Sequence, residues 1–171
     1  MRTHSIFFKL MHWLVAFTIF TAFILAFSFE DMKFSPEKLQ LINYHKWAGF
    51  MVILFFIPRI IASFSGYSKI ITNTTEDKMA KIVHFLLLLT MITTPILGWL
   101  MSSAKGFQVV LFGEFPIPDL IQKNIELGKT LSEAHELSAN FLLFLVVSHI
   151  VGALVRQFIK KDPIITQMFK K

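Results

Sequence analysis

Residues 10–29 run for 20 positions without a single Asp, Glu, Lys or Arg. At about 1.5 Å of rise per residue, a helix of that length crosses the roughly 30 Å hydrocarbon core of a bilayer. The chain is therefore expected to live in a membrane. Three further apolar stretches follow, giving expected spans at about 8–29, 41–64, 82–104 and 131–158. The second is broken only by His45, Lys46 and Arg59 near its ends, where long cations snorkel to the interface. The third is uncharged, and its Pro95 and Gly98 mark a kink or close packing more naturally than a break. The first is too long for the apolar region of a cleaved signal peptide, carries His12 and precedes no small-x-small site, so it is expected to be retained.

Composition agrees and narrows the function classes. Hydrophobic residues make up 54% of the 171 and mean hydropathy is +0.62, above the roughly 45–50% apolar content of ordinary domains. That excludes a disordered chain, and the length excludes a large soluble enzyme with an appended anchor. Zero Cys removes disulfides, thiolate zinc sites, iron–sulfur clusters and covalent c-type haem attachment, so metal chemistry must run on His. The net charge of +6 fits membrane topology better than nucleic acid, which is not an expected partner.

The expected fold is all-α: a single domain, 1–171, forming a transmembrane four-helix bundle in up-down-up-down order. With both termini on one side, that side carries 11 Lys/Arg and the other 6, while the acids divide 3 to 8. The positive-inside rule then puts both termini in the cytoplasm. The connection from about Lys105 to Thr130, with Gly106, Gly113, Pro116 and Pro118, is the longest and has room for a short surface helix.

Five of the six His lie within the spans; only His4 lies outside. Ionisable groups in membrane helices are costly and functional by default. His12, His84 and His149 fall near the cytoplasmic face, beside Lys9, Lys81 and Arg156, whereas His45 and His135 fall near the opposite face. His135 and His149 are 14 residues apart, which returns a helix to within about 40° of its starting direction roughly 21 Å further on. One helix thus presents an imidazole toward the bundle at each level, with His45 opposite one and His12 opposite the other. Two stacked bis-imidazole haems need that arrangement.

A macrocycle edge-on to its ligand's helix also needs small residues one turn away. Ala16, Gly49, Ala139 and Ala153 come four residues after His12, His45, His135 and His149, with Ala48, Ser138 and Gly152 three after the last three. His84 is followed by Leu87 and Leu88, which sets it apart as a fifth His with another role. Small residues also serve plain helix packing, and a lone membrane His is often a hydrogen-bonded packing residue. Five at two matched depths weigh against that reading. Arg59, Arg156 and Lys160 lie where haem propionates or lipid phosphates meet cations, Arg59 being closest to the hydrocarbon. Glu133 and Glu136 either tune His135 or lie in the exposed first turn of the fourth span.

Together, Lys9-Leu-Met-His-Trp13, His45-x-x-x-Gly49, Pro95-x-x-Gly98, His135-Glu136 and His149 followed by Lys161-Asp162-Pro163 resemble the bacterial cytochrome b561 family along essentially the whole chain. The chain is similar, more broadly, to di-haem membrane subunits of nickel–iron hydrogenases and formate dehydrogenases. The resemblance implies two haem b groups, one held by His12 and His149 on the cytoplasmic side and one by His45 and His135 on the periplasmic side. It implies electron transfer between a periplasmic donor, superoxide or a redox protein, and membrane ubiquinone, with superoxide:ubiquinone oxidoreductase (superoxide oxidase) as one activity of the family. His84 matches a third-helix His of those members and is the expected proton-exchanging group at a quinone site, and Arg59 a propionate partner. The outer side has six lysines among eight acids, so no strongly positive funnel for an anion is evident, although Lys46 stands near the outer His level. The alternatives are an electron-transfer subunit of a periplasmic dehydrogenase or hydrogenase, a His-lined proton or metal transporter, and a purely structural bundle that leaves the five His unexplained.

Overall fold

The architecture is that of a computed structural model in which residues 5–65 and 75–169 are described. Arg2, His4, Lys69, Lys170 and Lys171, which entered the charge and His counts, lie outside the described residues. Helices α1 (Ile6–Glu30), α2 (Pro36–Ser65), α3 (Thr75–Ala104) and α4 (Ile125–Leu154) are each long and apolar enough to cross a membrane.

Each helix overruns its hydrocarbon stretch because the flanking sequence supplies start signals. The Ser5 hydroxyl accepts from the Phe8 N–H at 3.2 Å, and Asn124 Oδ1 accepts from the Leu127 N–H at 3.0 Å. Pro36 occupies the first position of α2, where its missing N–H costs nothing. Glu76 and Asp77 sit in the first turn of α3. As α4 begins at Ile125 and not near residue 131, Glu133 and Glu136 are not first-turn acids; both are exposed on the helix surface.

The α3–α4 connection, which had room for a short surface helix, holds a hairpin. Val110 pairs with Pro116 and Leu111 with Phe115. The turn between them places Phe112 and Gly113 both at positive φ, 54° and 79°, with the Glu114 N–H donating to the Leu111 carbonyl at 3.1 Å. Phe112 holds that conformation with its ring against Trp47, 5.2 Å between centres. The indole N–H of Trp47 donates to the Val110 carbonyl (2.7 Å), and that of Trp99 to the Pro118 carbonyl (3.2 Å). The hydroxyl of Ser102 donates to the Phe107 carbonyl, so the loop is fastened across one end of the bundle.

At the other end α4 passes into a π turn (Val155–Ile159) and the chain reverses at Lys161, φ 55°, into the short helix α5 (Ile164–Phe169). Gln157 Oε1 accepts from the Ile165 N–H at 3.0 Å, and the Phe169 ring lies 4.8 Å from that of Trp13.

Val15, Ile19, Val52, Met91 and Leu142 are buried together mid-bundle, ringed by Phe23, Phe55, Phe56, Leu87 and Val146. Phe17, Phe27, Phe144 and Phe158 point outward, where lipid tails solvate them as well as a core would. The helices associate chiefly as two pairs, α1 with α2 and α3 with α4, and α2 touches α3 less extensively. Among the described residues α1 and α4 make no extended backbone approach.

Candidate functional site

Two His pairs bridge the helix pairs, one on each side of the apolar plug. His12 of α1 and His149 of α4 have ring centres 6.2 Å apart and planes at 56°. His45 of α2 and His135 of α4 have ring centres 6.2 Å apart and planes at 81°. The matching distances have a chemical meaning. A metal–imidazole bond is about 2 Å long and a ring nitrogen lies about 1.1 Å from the ring centre, so two imidazoles on opposite sides of one metal ion have centres roughly 6.3 Å apart. Both pairs have that spacing.

His84 of α3 is 5.1 Å from His149, too close for the same linear bridge, and it is exposed. Among the described residues no group of three or more His, Asp or Glu could hold a metal ion unaided. The arrangement suits a flat group that brings its own equatorial ligands better than a bare ion.

The His45–His135 pair is oriented by backbone carbonyls. His45 Nδ1 lies 2.9 Å from the Ala22 carbonyl oxygen of α1, and His135 Nδ1 lies 2.9 Å from the Thr94 carbonyl oxygen of α3. A carbonyl only accepts, so each Nδ1 donates, and each Nε2 keeps its lone pair as the donor atom toward a metal. Neither carbonyl has a signature in the sequence, because the group is common to every residue. His45 also meets the Phe29 ring edge-on at 5.6 Å.

The small residues leave room beside the imidazoles. A Cβ added at Gly152 would meet nothing within 4 Å, and one at Gly49 only the Pro95 Cβ at 3.9 Å. The open position at Gly152, one turn beyond His149, would leave room for a macrocycle there, whereas Gly49 lies against Pro95 of α3.

The cations divide. The Arg59 guanidinium lies 4.4 Å from the centre of the Phe8 ring, a cation–π contact that holds it at the His12–His149 level. Arg156 instead bridges Asp77 of α3 (3.2 Å) and Asp162 (2.6 Å), and Lys160 pairs with Glu76 at 2.9 Å. Those two cations meet protein carboxylates, a use that follows from the acids in the first turn of α3 lying at the same end. Lys160 and Glu76 are both mostly exposed, so that pair contributes about 0–1 kcal/mol. At the far end Lys46 Nζ donates to the Phe107 carbonyl at 3.1 Å, which commits this lysine to the loop.

The family model for prokaryotic cytochrome b561 matches residues 3–171. The chain is 26% identical over 166 residues to a probable superoxide oxidase, CybB, of Yersinia pestis, an alignment covering 94% of this chain and 92% of that protein. It is 25% identical over 142 residues to cytochrome b561 homolog 1 of Escherichia coli K12, covering 81% and 80% respectively.

Proposed function

The chain belongs to the prokaryotic cytochrome b561 family of membrane electron-transfer proteins, and on that premise we propose that it carries two haem b groups and passes electrons from a periplasmic donor to the quinone pool. Membership implies haem b; the observation that supports two of them is the pair of cross-helix His couples, each at the 6.2 Å spacing of a linear metal bridge. His12 and His149 hold the inner group, and His45 and His135 the outer. When bound, haem would supply a one-electron couple.

The chain's own residues do the rest. The Ala22 and Thr94 carbonyls fix the tautomers of His45 and His135 and make both imidazoles stronger donors. The buried layer of Val15, Ile19, Val52, Met91 and Leu142 excludes water between the two levels. Arg59 meets a propionate at the inner level. The Lys/Arg excess at the end bearing Lys9, Arg59, Lys81 and Arg156 supports a cytoplasmic assignment for that end and for both termini.

His84 is exposed toward the lipid beside His149, where an apolar quinone arrives by lateral diffusion, and it exchanges a proton with the reduced quinone. His84→Ala is expected to keep both haem spectra and slow quinone reduction roughly a hundredfold, the low end of general acid–base catalysis. Loss of a haem in that variant would show His84 to be a ligand instead.

Superoxide is the proposed donor, on the likeness to the Yersinia protein. The test is superoxide-dependent reduction of ubiquinone by purified protein in liposomes, followed optically. Saturable, protein-dependent reduction supports the assignment. Its absence, with haems that a small chemical donor still reduces, assigns the donor role to a redox protein.

A further inference from the structure

We infer that Gly98 is a positioning residue for the outer haem: its missing side chain lets the His135 ring seat against the Thr94 carbonyl, which leaves Nε2 as the nitrogen that would take the metal. This rests on the two-haem reading above. A Cβ built at Gly98 would lie 2.9 Å from His135 Cε1 and 3.1 Å from Nδ1, closer than a packed carbon tolerates. An imidazole tip usually swings aside at little cost. This one is fixed at Nδ1 by the Thr94 carbonyl at 2.9 Å and, when loaded, at Nε2 by iron. Any side chain at 98 therefore stretches one of those two bonds or turns the ring.

The seat is braced from behind. Thr94 is buried, and its hydroxyl is 2.7 Å from that of Ser138, one turn beyond His135 on α4, so the carbonyl and the imidazole are held in register across the α3–α4 contact. Pro95 follows Thr94 directly, within the same α3 segment. The Pro95-x-x-Gly98 pattern thus does more than bend a helix, since Gly98 is the clearance and Thr94 the acceptor for one ligand.

The test is low-spin electron paramagnetic resonance and redox titration of detergent-purified holoprotein, with the outer and inner components assigned from His135→Ala and His149→Ala. The outer signal depends on the angle between its ligand planes, 81° here, and on the donor strength of His135. Gly98→Ala is expected to shift the outer signal and its midpoint potential, or halve haem content by loss of the outer group, with the inner component unchanged. Ser138→Ala is expected to move the same component by a smaller step. Outer signals identical to wild type in Gly98→Ala would overturn the inference, as would equal shifts of both components. If Gly98→Ala does not accumulate, an unshifted outer signal in Ser138→Ala overturns it. Wild-type protein lacking haem would instead overturn the two-haem reading before Gly98 is changed.

Discussion

His149→Ala is expected to lower haem content from two per chain to one and to reduce electron transfer across the membrane to background. Helix α4 contributes one imidazole to each pair, so His135→Ala should produce the same count by losing the other group, and the double variant should be colourless. The effect is large because nothing nearby replaces the ligand. His84, the nearest imidazole, sits on α3 with Leu87 and Leu88 filling its next turn, where the ligand candidates keep Ala or Gly. Loss of the inner group would also remove a ligand that binds only the folded chain, so thermal stability should fall with it. Haemochrome quantification per chain and a melting curve check both expectations. A His149→Ala protein that retains two haems would exclude His149 as a ligand.

The second large effect is expected from Gly128→Leu. Gly128 is buried at the start of α4, where a Cβ would meet Lys105 Cγ at 2.8 Å, the Lys105 backbone nitrogen at 3.4 Å and the Ala104 carbonyl carbon at 3.5 Å. The lysine chain can yield, but the backbone of α3 cannot. A leucine there pries the two helices apart at the outer end, at a cost of about 1–3 kcal/mol for overpacking. His135 is two turns further along α4 and takes its orientation from Thr94 of α3, so the strain reaches the outer pair first. The variant should melt at lower temperature and lose outer haem before inner. Equal loss of both, or none with unchanged melting, would contradict the proposed coupling of the α3–α4 contact to the outer site.

The four helices were legible in the sequence because a membrane span announces itself by length and lack of charge alone, with no partner needed. The grouping of the His by depth was legible for a related reason: depth follows from counting residues along a helix, and 14 residues return His149 to the face of His135. What could not be read was whatever depends on backbone groups or on chain reversal. The Ala22 and Thr94 carbonyls carry no side-chain mark, and Gly98 was visible only as a kink or close-packing residue in the Pro95-x-x-Gly98 pattern. The hairpin at 110–116 escaped because its turn depends on Phe112 adopting positive φ, which bulky residues seldom do, and on Trp47 and Trp99 from other elements to hold it. Arg156 and Lys160 were read as cations for propionates or lipid, since Asp77 and Glu76 lie some 80 residues earlier on another helix and Asp162 reaches Arg156 only through the chain reversal at Lys161.

On the proposed function this bundle holds two non-covalent haems between α4 and its neighbours. That is tested most directly by a dithionite-reduced minus oxidised spectrum of purified wild-type protein, with pyridine haemochrome quantified per chain. A b-type spectrum and two haems per chain are expected. A colourless protein, made with haem supplied during expression, or a stoichiometry that saturates at one, would contradict it.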